Sequence, residues 1–102
     1  MSQRRLVRVA PSFFDRLDEL LPGGRTAAGQ PSATDFLLHE LPRIIDRLAQ
    51  DYESVTLAVP SRPGLRVLIT AGALVPTVAV YTVLAADGAV EIISLDIDQP
   101  PN

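Results

Sequence analysis

The dipeptide Asp87-Gly88 constrains this chain more than any other feature. Two β-prone runs flank it, Pro76 to Leu84 and Val90 to Asp98. An Asp-Gly pair between such runs is the strongest hairpin signal in the chain. A third run, Leu65 to Thr70, comes just before, with Ala71-Gly72-Ala73 as its turn. Three strand runs in succession predict an antiparallel meander. Helical periodicity is confined to the first half of the chain. Helices and strands segregated in this way predict an α+β fold.

The first half reads as strand, helix, helix. Arg4 to Ala10 alternates, with Val7 and Val9 on one face and Leu6 and Arg8 on the other. Arg4, Arg5 and Arg8 on so short a strand predict an edge position, where charge discourages strand addition. Phe13, Phe14, Leu17, Leu20 and Leu21 follow helical spacing from Ser12 to Leu21. Ser12 is placed to cap this helix, Asp15 to support the cap, and Pro22-Gly23-Gly24 to stop it. Ser32 or Thr34 caps a second helix, with a stripe of Leu37, Leu38, Leu41, Ile44, Ile45, Leu48 and Tyr52. Pro42 interrupts that helix while its stripe stays in phase, which predicts one kinked helix. Ser54 to Gly64 reads as an extended linker with room for a short edge strand. The expected architecture is strand–helix–helix followed by a three-stranded antiparallel meander. It forms a single domain over residues 1–102, with both helices on one face of the sheet.

Composition removes whole classes of chemistry. There is no cysteine, so thiolate metal sites, disulfides and a cysteine nucleophile are excluded. One histidine, His39, excludes a multi-histidine metal centre. Acids outnumber bases 12 to 9, for a net charge of -3. That opposes bulk attraction to nucleic acid or anionic lipid. No apolar run approaches the ~18 residues of a membrane span. A cytoplasmic protein without metal, cofactor or membrane partner is expected.

Period-2 geometry sorts the meander into two faces. Leu65, Val67 and Ile69, with Val78, Val80, Leu84, Ile93, Leu95 and Ile97, are the bulkier apolar set and are assigned to the core. The other set holds Arg66, Leu68 and Thr70, then Thr77, Ala79, Tyr81 and Val83, then Ile92, Ser94, Asp96 and Asp98. Arg66, Tyr81, Ser94 and Asp96 would then share an open face. Arg66 could clamp a phosphate or carboxylate, Tyr81 could stack or donate its hydroxyl, and Asp96 could accept a proton. The simpler reading is a cross-strand Arg–Asp pair with a packed tyrosine. Asp96 and Asp98 project together as hard-metal ligands could, although a polar strand end explains them. His39 with Asp35 and Glu40 reads as a solvated helix face.

The segment Leu6-Val7-Arg8-Val9-Ala10-Pro11-Ser12-Phe13-Phe14-Asp15-Arg16-Leu17 resembles the start of RelE/ParE-like toxins of bacterial type II toxin–antitoxin systems. Gly64-Leu65-Arg66-Val67-Leu68-Ile69 resembles the strand that carries an arginine in that family. Val78-Ala79-Val80-Tyr81-Thr82-Val83 and Asp87-Gly88-Ala89-Val90-Glu91-Ile92-Ile93 resemble its final hairpin. The resemblance implies a small protein bound by an antitoxin. Its ribonuclease branch cleaves messenger RNA at the ribosome, and its ParE branch acts on DNA gyrase. It carries Arg66 over as a phosphate or transition-state contact, and Tyr81 as an aromatic position of varying role. The strand end Leu95-Asp96-Ile97-Asp98 and the acidic chain depart from the basic ribonuclease pattern. The expected function is therefore binding of a protein partner without nuclease chemistry. An endoribonuclease using Arg66, assisted by Tyr81 or Asp96, is the alternative. A homodimeric accessory protein is a second.

Overall fold

The computed structural model describes residues 4–21, 32–72 and 77–98. Five strands form one sheet: β1 (Val7–Val9), β2 (Leu57–Ala58), β3 (Arg66–Thr70), β4 (Thr77–Leu84) and β5 (Val90–Asp98). Their order across the sheet is β1-β5-β4-β3-β2. The helical elements are α1 (Pro11–Leu20), the single turn α2 (Ala33–Asp35), a π turn (Phe36–Glu40) and α3 (Leu41–Val55). The fold is α+β, but the sheet is larger than the three-stranded meander read from the sequence. β1 adds to β5 in parallel, and β2 adds to β3 antiparallel. The turn signals Pro22-Gly23-Gly24 and Ala73 lie outside the described residues.

Local chemistry explains the helix starts. Pro11 is the first residue of α1. Its fixed φ suits that position, and its missing N–H is one that a helix start leaves unpaired anyway. Ala10 is the N-cap and offers no side-chain bond. The Ser12 hydroxyl instead donates to the Ile93 carbonyl, at 2.6 Å. Ser32 does cap α2: its Oγ accepts from the Asp35 N–H at 3.0 Å while Asp35 Oδ2 accepts from the Ser32 N–H at 3.2 Å.

The π turn accommodates Pro42. The Leu41 N–H bonds to the Phe36 carbonyl, five residues back, so one extra residue is wound in before the proline. That widening relieves the crowding a proline ring imposes on the preceding turn. α3 then breaks its geometry nine residues later, at Asp51 (φ -154°, ψ 56°). The Ala49 carbonyl beside this break accepts the Arg5 N–H at 2.8 Å, which ties the helix to the approach to β1.

One cluster of buried side chains joins helices and sheet. Phe13 and Leu17 of α1 and Ile44, Leu48 and Tyr52 of α3 meet Leu68, Val78, Val80, Ile92 and Leu95. This corrects the face assignment on β3: Leu68 is fully buried, whereas Ile69 is 57% exposed. β4 buries Val78, Val80 and Thr82 and exposes Leu84. β5 switches parity part-way along. Tyr81 pairs with Ser94 but Thr82 pairs with Ile92, so Ile93 is the extra residue of a β-bulge. The bulge lets Ile92 and Leu95, three apart, both face the core. It also turns the Ile93 and Leu95 carbonyls toward α1. β1 reaches only as far as Ile92 on this edge. Beyond it Ser12 and Arg16 of α1 take over, with Arg16 Nε donating to the Leu95 carbonyl at 3.3 Å.

Candidate functional site

Cross-strand partners project from the same side of a sheet. The register therefore lays out the side away from the buried cluster in rows. Leu57, Val67, Tyr81 and Ser94 form one row. Ile69, Ala79 and Asp96 form the next. Val83, Glu91 and Arg8 form a third on the other flank. The apolar members sit on β2, β3 and β4, and the charged ones on β5 and β1. Leu57 is 65% exposed and Ile69 57%. No described helix covers this panel.

Arg66 is not on it. Arg66 pairs with Thr82, which is buried, and lies on the helix side with Leu68. Its guanidinium is engaged at the end of α3. Nε donates to Thr56 Oγ1 at 2.7 Å, and Nη2 donates to the Thr56 carbonyl at 2.9 Å and the Glu53 carbonyl at 3.2 Å. Carbonyls at a helix C-terminus lack intrahelical donors and carry partial negative charge, so a cation there is stabilising. Thr56 Oγ1 in turn donates to the Tyr52 carbonyl at 2.6 Å. The Tyr52 hydroxyl lies 3.0 Å from Thr82 Oγ1. The Tyr52 ring has the guanidinium carbons of Arg66 and Arg5 at 5.8 and 5.9 Å from its centre, within cation–π range. The structure thus places Arg66 in a buried-end network, on the opposite side of the sheet from Tyr81, Ser94 and Asp96.

Tyr81 and Ser94 are neighbours in register, and Asp96 lies one row away. Asp96 is paired: Arg16 Nη2 donates to its Oδ1 at 2.7 Å. Arg16 also reaches Glu19 at 3.0 Å, and its pKa is raised above the usual value, first by the bond to Asp96 and then by that to Glu19. On the other flank Arg8 bridges Asp87 at 2.9 Å and Glu91 at 3.3 Å. The same contact raises the Arg8 pKa and holds the Asp87 carboxyl below the usual aspartate range, helped by the Ala89 N–H. Arg4 and Arg5 pair with Asp46 and Glu53 at 3.0 and 3.1 Å. Their role is to tie the first strand to α3. His39 is exposed, while Glu40 is buried and Asp35 is held in the cap of α2, so these three do not form one solvated face. Among the described residues no group of His, Asp and Glu is placed to hold a metal ion. The Asp98 side chain lies outside the description.

A residue the sequence reading passed over sits beside Tyr81. A shallow concavity of about 360 Å³ is lined by Val59, Arg62, Leu65, Tyr81, Ile93 and Ser94. Arg62 belongs to the β2–β3 loop, which closes on itself. The Val59 N–H bonds to the Leu65 carbonyl at 3.0 Å, and the Arg62 N–H to the Val59 carbonyl at 3.1 Å. Gly64 supplies the positive φ, 84°, that the turn requires. Its signal in the sequence is the Pro60-Ser61-Arg62-Pro63-Gly64 turn between two β-prone runs, which is a hairpin loop rather than a linker. A larger groove of about 590 Å³ lies between the approach to β1, the broken end of α3 and the β4–β5 turn, but Arg4, Arg5, Glu53 and Asp87 in its walls are already in ion pairs.

Comparison with protein-family models, with curated proteins and with solved structures gives no match.

Proposed function

We propose that this chain is a small partner-binding protein of the toxin–antitoxin kind, acting in the cytoplasm. Its open sheet panel takes a segment of a partner protein, and the chain carries no nuclease chemistry of its own. The observation behind this reading is the division of labour between the two sides of the sheet. The arginine expected to do chemistry, Arg66, is committed to the end of α3. The opposite side presents Leu57, Val67, Ile69, Tyr81 and Val83 as a connected apolar surface. Covering such a surface with an apolar segment removes it from water, which favours association. The acidic balance of the chain favours a protein over ribosomal RNA as the target. The resemblance to RelE/ParE-like toxins supplies the class of partner, an antitoxin-like segment.

The test is co-expression with the product of each adjoining reading frame, followed by purification. A stable complex is expected, and Ile69→Asp should dissolve it while leaving the urea midpoint of the isolated chain unchanged. A chain that purifies alone, or a complex indifferent to Ile69→Asp, rejects the reading. Messenger RNA loss on induction that vanishes with Arg66→Lys, in a variant still folded, would restore the endoribonuclease alternative.

A further inference from the structure

We infer that Arg62 is the polar anchor of this panel and that it receives a side-chain carboxylate from an apolar, acidic segment of the partner. The inference rests on the partner-binding reading above and gives the partner its chemistry.

Arg62 differs from the other arginines around the sheet. Arg8 is held by Asp87 and Glu91, Arg16 by Asp96 and Glu19, and Arg66 by α3. The Arg62 side chain is exposed and has neither an ion pair nor a hydrogen bond among the described residues. On β5, Glu91 and Asp96 are engaged by Arg8 and Arg16. Its backbone is held in place by three short-range hydrogen bonds, Val59 N–H to Leu65, Arg62 N–H to Val59 and Leu65 N–H to Arg62. Pro60 and Pro63 stiffen the same loop. A charge on a preorganised loop loses little entropy when it is bound.

The concavity around Arg62 has a defined chemistry. Its polar side chains are a guanidinium, the Tyr81 phenol and the Ser94 hydroxyl, all able to donate, and none is a carboxylate. Val59, Leu65 and Ile93 supply apolar walls. Donors set in an apolar wall suit a carboxylate carried on an apolar segment, and a guanidinium fits the planar carboxylate with two parallel bonds.

The size of the panel decides between a segment and a second copy of this chain. β2, β3 and β4 contribute 2, 5 and 8 residues; at ~4.8 Å between strands and ~3.3 Å per residue the panel is roughly 14 Å wide and, at β3, about 17 Å long. That falls well short of the ~800 Å² per partner of a stable globular interface. It matches one helix, about 10 Å across, or one extended strand. Stacking the whole sheet on a second copy would also set the charged β5 row against apolar strands or against itself.

The test is to pan a random peptide library displayed on phage against the wild-type chain, against Arg62→Gln and against Ile69→Asp. Both sites are exposed, so both variants should keep the wild-type unfolding midpoint. Binders to the wild type should be enriched in Asp and Glu over the input library. Arg62→Gln should return apolar binders whose acid content falls back to the input level. Changing the acid to its amide in a selected peptide should weaken binding about tenfold, the scale of a charge-assisted hydrogen bond. Binders without acid enrichment, lost only with Ile69→Asp, overturn the anchor and leave the partner-binding reading standing. Absence of any binder sensitive to Ile69→Asp overturns both. Arg62-dependent retention of a fluorescent RNA oligonucleotide would overturn the carboxylate assignment in favour of phosphate.

Discussion

Arg66 closes the end of α3 with three hydrogen bonds, two to carbonyls and one to a hydroxyl. A charged donor to groups that would otherwise be left unpaired contributes about 1–3 kcal/mol. Arg66→Ala should lower the urea-derived unfolding free energy by that amount. Arg66→Lys should recover only part of it, because an ammonium cannot reproduce the planar fork. Tyr52→Phe removes the hydroxyl beside Thr82 and should cost about 1 kcal/mol. A pH effect belongs at the same scale. The Asp87 carboxyl is lowered by the bond from Arg8 and the Ala89 N–H. A lowered folded pKa contributes stability above the ordinary aspartate value, about 3.9, and loses it as pH falls through the folded value. Asp87→Asn should therefore reduce the difference in thermal midpoint between pH 6 and pH 2. Because both partners are solvent-exposed, added salt should shrink that difference.

At the scale of elements, β5 is the strand that decides the sheet. Its bulge at Ile93 lets Val90 and Ile92 on one side of it, and Leu95 on the other, all reach the core. Deleting Ile93 would force a choice between the two halves of the strand, since a one-residue slip turns every following side chain to the other face. The Ser12 and Arg16 bonds to β5 would be lost with it. The deletion variant should show no cooperative unfolding transition by circular dichroism. The sequence carries no local mark of this bulge: Ile92-Ile93-Ser94 reads as unbroken strand. That is why strict period-2 alternation misplaces Ile92 and Ile93, while it holds for Leu95, Ile97, Ser94 and Asp96. On β3 it failed for a different reason. Val67 and Ile69 are as apolar as core residues but lie on the outer face, and apolar residues are often exposed even though buried residues are mostly apolar. What was legible rested on strong local chemistry. The Asp87-Gly88 turn, the Ser32 cap and the Leu41-to-Tyr52 stripe each fix their own geometry with few residues. The parallel β1–β5 pair is not legible, because nothing within the 3 residues of β1 names a partner about eighty positions away. The candidate site inherited the same limits. Alternation puts Tyr81 and Ser94 on the open side, where they lie, and Arg66 with them, where it does not lie, while Arg62 sits in a loop between two short runs.

At the scale of the molecule, the sheet has one side built for stability and one that contributes little to it. Leu68 and Ile69 are adjacent, yet the first is fully buried and the second 57% exposed. Leu68→Ala should cost about 2–5 kcal/mol in denaturant unfolding, whereas Ile69→Ala should stay within ~0.5 kcal/mol. Similar losses at both positions would mean that the outer panel is covered within the chain itself. The contact of α1 and β1 with β5 also has a temporal side. Ser12 and its acceptor on Ile93 are 81 positions apart, and Ala10 bonds to Ile92 across a similar gap. During synthesis, therefore, α1 and β1 emerge long before β5, and the contacts they make with it wait until it has been made. Long-range pairing of this kind slows folding and prolongs the exposure of apolar surface. A nascent chain stalled before β5 is one that a chaperone or protease meets with its first helix undocked.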